Sequence, residues 1–145
     1  MDEQARLEEL IAKLRDRQYR ITPQRIAVLK ALLGNPNHPS VEHIYDQLKK
    51  DYPTMSLATV YKQVRQLKEL GEVLELGFPD DDNRYDGMKP YPHVHLVCQK
   101  CRKIMDIEYV RMDGIQDTVL QRTGYRWISN RIDIYGLCPD CQKGA

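Results

Sequence analysis

The apolar residues of the first 70 positions recur at helical spacing in four separate segments, the pattern of helices that bury one face. Thr22 stands before Pro23, and Ser40 and Ser56 precede the third and fourth segments; hydroxyl side chains at such positions cap exposed N–H groups. The pattern predicts helices over residues 3–17 and 23–33, a third after Ser40, and a fourth from Ser56 to near Gly71. The predicted buried stripes are Leu7, Leu10, Ile11 and Leu14; Ile26, Leu29, Leu32 and Leu33; Val41, Ile44, Tyr45 and Leu48; and Leu57, Val60, Val64, Leu67 and Leu70.

The periodicity then changes from helical to alternating. Residues 72–78 alternate as a strand, residues 79–83 have turn composition, and residues 84–86 begin a return strand. The third and fourth helices, joined by a short turn, form a predicted helix-turn-helix, and helices followed by such a hairpin make a winged helix. We expect a winged-helix DNA-binding domain over residues 1–86, followed by a Gly- and Pro-containing linker over residues 87–92.

The second half has a different pattern. Short alternating stretches around residues 94–96, 104–109 and 125–137 predict strands, and residues 110–122 predict a helix with Ile115, Val119 and Leu120 as its apolar side. The fold class is therefore α+β, with a small C-terminal α/β domain over residues 93–145. A domain of this size is marginal alone, so we expect a staple or a partner subunit.

Overall composition adds few restrictions. The 145 residues are 41% hydrophobic and carry a net charge of +1, which neither supports nor excludes a nucleic-acid partner. No apolar run approaches the ~18 residues of a membrane span, and the charged N-terminus does not resemble a secretion signal. We expect a cytoplasmic protein without a membrane partner.

The outward face of the fourth helix has the chemistry of a base-reading helix. Thr59, Lys62, Arg65 and Gln66 lie opposite the apolar stripe, with Tyr61 at its edge. Lys and Arg side chains donate to guanine, and Gln pairs with adenine. The alternative is an ordinary solvated helix face; the neighbouring helix-turn-helix and hairpin favour DNA contact.

The four cysteines form two matched pairs. Cys98 and Cys101 are separated by two residues, as are Cys138 and Cys141, with 36 residues between the pairs. Two such turns supply the four thiolates of a closed, structural Zn²⁺ site. The alternatives to zinc are disulfides and a redox dithiol. Disulfides are disfavoured in the cytosol, and a redox dithiol would not explain why a second matched pair is present.

A second metal site is predicted from histidines and carboxylates. His93 and His95 alternate along a strand and so face the same side, while Asp106 lies on the neighbouring predicted strand. Asp86 ends the predicted wing, and His38 precedes the helix-turn-helix. Imidazole and carboxylate ligands without thiolate suit Fe²⁺ or Mn²⁺, although Zn²⁺ also binds such sets. Glu108 is a rival ligand on the face of Asp106, and His43 has no evident partner.

Six motifs occur together in one order: residues 20–25 (RITPQR), 38–39 (HP), 56–61 (SLATVY), 84–86 (RYD), 93–98 (HVHLVC) and the two CxxC pairs. In this combination the chain closely resembles the ferric-uptake-regulator (Fur) family from about Leu10 to Cys141. The resemblance implies a homodimeric, metal-dependent repressor of double-stranded operator DNA. It implies that Tyr61 and its helix neighbours enter the major groove and that Arg20 approaches the minor groove.

The resemblance also assigns the metals. It implies structural zinc at Cys98, Cys101, Cys138 and Cys141. It implies a regulatory metal at His38, Asp86, His93, His95 and Asp106.

Three positions bear on the branch of the family. Iron-uptake members commonly have Glu where this chain has Asp106, and often carry a His-His-Asp-His run where this chain has residues 92–95. A histidine often found eight residues before the third cysteine is Asn130 here. These differences favour a peroxide-sensing member. Lys62 departs from the residues common at its position in both branches, which leaves the operator sequence open.

The peroxide-sensing branch implies that bound Fe²⁺ reacts with hydrogen peroxide and that the oxidant attacks a ligand imidazole, His38 or His93, releasing DNA. Mn²⁺ does not do this readily. The protein is consumed in the reaction, so we do not expect an enzyme or a small-molecule substrate other than peroxide. The alternatives are an iron-responsive repressor, a zinc or nickel regulator, a catalytic non-haem iron centre, and a zinc-stabilised protein-interaction module that does not bind DNA.

Overall fold

The computed structural model describes residues 2–78, 81–90, 93–107, 112–128 and 130–144, with only the backbone described for Phe78 and Asp81. The chain divides into two compact units, residues 1–90 and residues 91–145. The boundary falls within the stretch 87–92 that the sequence marks as a linker. Within the described residues, no helix has the length and apolar character needed to cross a membrane.

The first unit begins with four helices: α1 (Glu3–Asp16), α2 (Pro23–Leu33), α3 (Val41–Leu48) and α4 (Leu57–Glu69). The predicted caps are confirmed, since the Thr22, Ser40 and Ser56 hydroxyls accept from the N–H groups of Arg25, His43 and Thr59. These bonds satisfy N–H groups that a helix start leaves exposed.

One apolar core joins α1–α4 and the strands that follow. Among the described residues, seventeen buried side chains form this core, and ten of them are at most 2% exposed. Most predicted stripe positions lie in this core. Leu57 is a correction, because at the first turn of α4 it is 37% exposed, whereas Gln63 is buried instead.

The hairpin consists of β1 (Leu74–Phe78) and β2 (Asp81–Asp86), paired antiparallel. Residues 81–83 belong to β2 rather than to the predicted turn, and the register shifts between Leu76 and Phe78. The pairing thus extends into residues 81–83, further than their polar composition suggests. Helices followed by this hairpin form the expected winged helix.

The described residues of the second unit form a three-stranded sheet with two helices. Its elements are β3 (Val94–Cys98), β4 (Ile104–Ile107), α5 (Asp113–Thr123), β5 (Ile132–Gly136) and α6 (Pro139–Lys143). The strand order is β4-β3-β5, with β3 antiparallel to β4 and parallel to β5. The last strand, β5, is shorter than the predicted strand over residues 125–137, and α6 was not predicted. Residues 108–111, which include the end of one predicted strand and the start of the predicted helix, lie outside the described part of the chain.

Candidate metal centres and DNA-binding face

The two cysteine pairs meet because of the sheet topology. Cys98 is the last residue of β3, and Cys101 lies in the turn before β4. Cys138 is the N-cap of α6, and Cys141 lies within α6, the helix that follows β5. The parallel pairing places Cys98 opposite Gly136, so both turns lie at the same end of the sheet.

The sulfur geometry fits a tetrahedral ion. The four Sγ atoms lie within 4.8 Å of one another, and those of Cys101 and Cys138 are 3.8 Å apart. Four thiolates at the usual Zn–S distance of about 2.3 Å are about 3.8 Å from each other. A disulfide requires an S–S distance of about 2.05 Å, and all four cysteines are free thiols. The expected disulfide-free cluster is thus present.

The cluster favours thiolate chemistry at one sulfur and opposes it at another. The backbone N–H groups of Cys101 and Cys138 point at Cys98 Sγ from 3.5 and 3.4 Å and lower the pKa of Cys98 to about 6. The neighbouring sulfur of Cys138 raises the pKa of Cys141 to about 12. Four crowded thiols cannot all ionise without a cation, and Zn²⁺ supplies the compensating charge.

In the first unit, the wing places His38 beside Asp86. The Tyr85 N–H donates to the Pro39 carbonyl at 3.0 Å, and the Arg84 guanidinium donates to the carbonyls of Asn37 and His38. These bonds attach the loop before α3 to β2. As a result, His38 Nε2 lies 3.7 Å from Asp86 Oδ2.

Both members of this pair are buried and held. Asp86 is 1% exposed, and its Oδ1 accepts from the N–H groups of Met88 and Lys89, each at 3.0 Å. His38 adopts a φ of +55°, a left-handed conformation that costs a non-glycine residue roughly 1–2 kcal/mol. Such strain persists where the surroundings require it and is concentrated at functional sites.

In the second unit, three predicted ligands are adjacent. The β3–β4 register pairs His95 with Asp106, and His93 precedes β3 with its ring 4.2 Å from that of His95, centroid to centroid. Asp106 Oδ1 is 3.3 Å from His93 Nε2 and 3.5 Å from His95 Nε2. Two imidazoles on one carboxylate are suited to a divalent cation.

A further carboxylate in this unit was not anticipated from the sequence. Asp133 is paired with His95 in the β3–β5 register, and its Oδ1 is 3.5 Å from His95 Nδ1. Asp133 Oδ2 accepts from Arg131 Nε at 3.0 Å. The only available signal was its position in the alternation of β5; the parallel pairing of β5 with β3 could not be foreseen.

Among the other candidates, His43 is exposed on α3. Glu108 lies outside the described residues. The structure thus brings His38 to Asp86 within the first unit and His93 and His95 to Asp106 within the second.

The outward face of α4 carries the predicted DNA contacts. Lys62 and Arg65 are exposed, as is Arg20 before α2. Thr59 is half-buried, with its hydroxyl 2.9 Å from that of Ser56. The Tyr61 hydroxyl donates to the Glu42 carboxylate on α3, a contact that raises the pKa of Tyr61 to about 12. Tyr61 is 38% exposed, so its ring remains accessible.

The profile of the Ferric uptake regulator family matches residues 16–135, a range that covers most of each unit and every motif singled out above except Cys138 and Cys141. The chain belongs to the ferric uptake regulator family. This confirms the resemblance drawn from the six motifs.

Relatives within the Fur family include regulators named for peroxide. The chain is 40% identical, over 94% of its length and 91% of the relative, to a peroxide-responsive repressor PerR of Staphylococcus saprophyticus. A structure of PerR from Streptococcus pyogenes, described as a basis for peroxide sensing and gene regulation, matches with a TM-score of 0.55 and 36% identity, covering 98% of this chain and 95% of the other.

The Fur fold itself is supported by a more distant structure. The ferric uptake regulator Fur of Helicobacter pylori matches with a TM-score of 0.79 at 22% identity, over 98% of this chain and 95% of that one. At this identity the match shows the architecture alone. The expected α+β class, with a winged-helix domain and a small C-terminal domain, is confirmed.

Proposed function

We propose that this protein is a metal-dependent transcriptional repressor that senses hydrogen peroxide and then releases its operator DNA. The observation that carries the proposal is the second-unit cluster, in which His93 and His95 share the carboxylate of Asp106. The proposed function is also supported by a relative, 40% identical to this chain, that is named a peroxide-responsive repressor. The protein is consumed when it reacts with peroxide, so we do not propose an enzyme. We propose that the protein acts in the cytoplasm.

Cys98, Cys101, Cys138 and Cys141 are proposed to hold the structural zinc. Their sulfur spacing fits a closed tetrahedral site, and a closed thiolate site leaves no position for a reactant. The zinc then contributes to folding of the second unit.

His38, Asp86, His93, His95 and Asp106 are proposed to hold one regulatory Fe²⁺ or Mn²⁺. The donors are imidazole and carboxylate groups only, which fit these ions, and His38 and Asp86 come from a different unit than the other three. An ion that binds all five residues selects one arrangement of the two units, which is how a bound metal controls DNA binding.

Fe²⁺, when bound, would activate hydrogen peroxide for a two-electron oxidation of a ligand imidazole, in which one peroxide oxygen is added to a ring carbon and the other leaves as water. We propose His38 and His93 as the oxidised side chains. His38 is strained at φ +55°, and His93 lies at the start of β3 rather than within it. An oxidised imidazole is a weaker ligand, so the metal-dependent arrangement is lost.

DNA contact is assigned to Arg20, Thr59, Tyr61, Lys62 and Arg65, with α4 in the major groove. The basic side chains of Lys62 and Arg65 are exposed on one helix face, where they can reach base edges and phosphates. The functional form is proposed to be a homodimer, which matches the two-fold symmetry of an inverted-repeat operator. In the second unit, a set of large apolar side chains is about half exposed and available for a partner subunit: Met105, Ile115, Leu120, Ile134 and Leu137.

Operator binding by Fe²⁺-loaded and Mn²⁺-loaded protein, with and without peroxide, tests the proposal. We expect both forms to bind DNA before treatment. After peroxide, only the Fe²⁺ form should release DNA, with one oxygen atom added to peptides containing His38 or His93. Exposed His43 is the internal control for nonspecific oxidation, and it is resolved from His38 by fragment ions because no Lys or Arg separates the two residues.

Two results contradict the proposal in different ways. Fe²⁺-dependent DNA binding that survives peroxide, without added oxygen, indicates an iron-responsive repressor with the same fold. Absence of any metal-dependent DNA binding overturns the regulatory function altogether. Arg65→Ala is the matching test of the DNA face, because it should weaken operator binding without changing the metal content.

A further inference from the structure

We propose that Asp133, itself held by Arg131, is a positioning residue that fixes the ring of His95 so that Nε2 is presented to the regulatory metal. The inference rests on the proposed metal site and adds a residue to it that does not bind the ion. Asp133 lies outside the five proposed ligands.

The two ring nitrogens of His95 face different carboxylates. Nε2 is 3.5 Å from Asp106 Oδ1 on β4, and Nδ1 is 3.5 Å from Asp133 Oδ1 on β5. Because β3 is the central strand of the order β4-β3-β5, these carboxylates come from opposite sides of His95. One ion cannot bind both edges of the ring, so Asp133 cannot share an ion with Nε2.

Asp133 has a fixed orientation. Its Oδ2 accepts from Arg131 Nε at 3.0 Å and lies 2.9 Å from Arg131 Nη2. Both contacts are made to the same oxygen, Oδ2, so Arg131 holds one side of the carboxylate. The other oxygen, Oδ1, lies on the side of His95.

At 3.5 Å this approach is longer than a usual hydrogen bond, but the burial of both groups strengthens their electrostatic attraction. His95 is 1% exposed and Asp133 is 15% exposed, so water does not compete freely for Nδ1. A carboxylate facing Nδ1 favours the tautomer with its proton there, which leaves the lone pair of Nε2 for a metal.

Two substitutions test this role at graded strength. Asp133→Asn keeps the size and an acceptor oxygen but removes the charge, whereas Asp133→Ala removes both. Asp117→Asn, on the exposed face of α5, is the matched control. The proteins are compared with structural zinc retained and the regulatory site emptied by mild chelation, with zinc content as the check that the second unit is folded.

The first measurement is Mn²⁺ affinity by titration. Loss of such an outer partner weakens metal binding about 10- to 100-fold, so we expect this loss for Asp133→Ala, a smaller one for Asp133→Asn, and none for Asp117→Asn. An affinity within about twofold of the unaltered protein for Asp133→Ala overturns the inference. Complete loss of Mn²⁺ binding, equal to that of Asp106→Ala, also overturns it, because Asp133 is then a ligand.

The second measurement is imidazole ¹⁵N NMR of the protein without regulatory metal. We expect the His95 proton on Nδ1 in the unaltered protein and a shift of population towards Nε2 in Asp133→Ala. A proton on Nε2 in the unaltered protein contradicts the inference even if affinity falls. If the unaltered protein binds no Mn²⁺ or Fe²⁺, the proposed function fails and the inference fails with it.

Discussion

The two units differ in how they are stabilised. The first has a core of seventeen buried apolar residues drawn from four helices and the wing. In the second, the buried apolar side chains among the described residues are Val94, Val97, Cys98 and Ile104. No side chain of α5 is buried. A small domain that buries so little requires a metal, a disulfide or a partner subunit.

Buried polar side chains serve two roles in this molecule. In the first unit, Arg6 is 3% exposed and connects α1 to the end of the wing by donating to the carbonyls of Gly87 and Glu72. In the second unit, the most buried polar side chain, His95, belongs to the proposed metal site. Buried Arg6 thus serves the architecture of the first unit, whereas buried His38 and Asp86 of that unit and His95 of the second are proposed ligands.

The largest expected effect comes from Cys101→Ser. Structural zinc contributes about 10–16 kcal/mol in small zinc domains, so we expect the second unit to unfold and the dimer to dissociate while the first unit remains folded. Trp127, the sole tryptophan, lies in the second unit, so its fluorescence follows that unit and far-UV circular dichroism follows mainly the helices of the first. A stable dimer with unchanged Trp127 emission would show that the zinc is not the main stabilising element.

The same substitution at two leucines sharpens the contrast. Leu10 is fully buried in α1, whereas Leu120 on α5 is 54% exposed. Leu10→Ala should destabilise the first unit by about 3 kcal/mol through lost burial and a cavity. Leu120→Ala should leave unfolding of the first unit almost unchanged and instead weaken dimerisation, measured by sedimentation equilibrium. Equal losses of stability from both substitutions would refute the difference between the units.

The smallest effect concerns alkaline pH. Burial and the Glu75 carboxylate, 3.3 Å from the hydroxyl, raise the pKa of Tyr85 from its usual 10 to about 12. The fold therefore favours the neutral phenol. This contribution is present below pH 10 and is lost as the pH rises from about 10 to 12.

We expect Tyr85→Phe to remove about 1 kcal/mol of this pH dependence, after allowance for screening by solvent. The measurement is urea unfolding of the helices at pH 9 to 11. Tyr125→Phe is the control, because Tyr125 is 74% exposed in the second unit. An identical pH dependence in Tyr85→Phe and the unaltered protein would contradict the assignment.

Local signals predicted the helices and the zinc cluster well. Thr22, Ser40 and Ser56 act within three residues of themselves, so their caps were visible in the sequence. The cysteine pairs were equally clear, because a two-residue gap constrains both sulfurs to one ion. The wing was predicted too short, since a run of acidic residues resembles a turn even where it is paired as β2.

The candidate ligands were predicted as residue types, but their environment was not. Nothing local to His38 indicated a φ of +55° or the Arg84 contacts that hold its loop to the wing. Asp133 was missed because its significance depends on a parallel pairing with β3 across 38 residues of chain. Glu108 stays a prediction that the described residues do not test.

The sequence by itself determined the four helices of the first unit, most of their apolar stripes, the two cysteine pairs and the family, because these depend on neighbours a few residues apart or on motifs in order. Tertiary structure decided which histidine faces which carboxylate: Asp86 for His38, and Asp106 and Asp133 for the two edges of His95. The physical reason is that strand order and register, which are set by contacts distant along the chain, determine which side chains meet across a sheet.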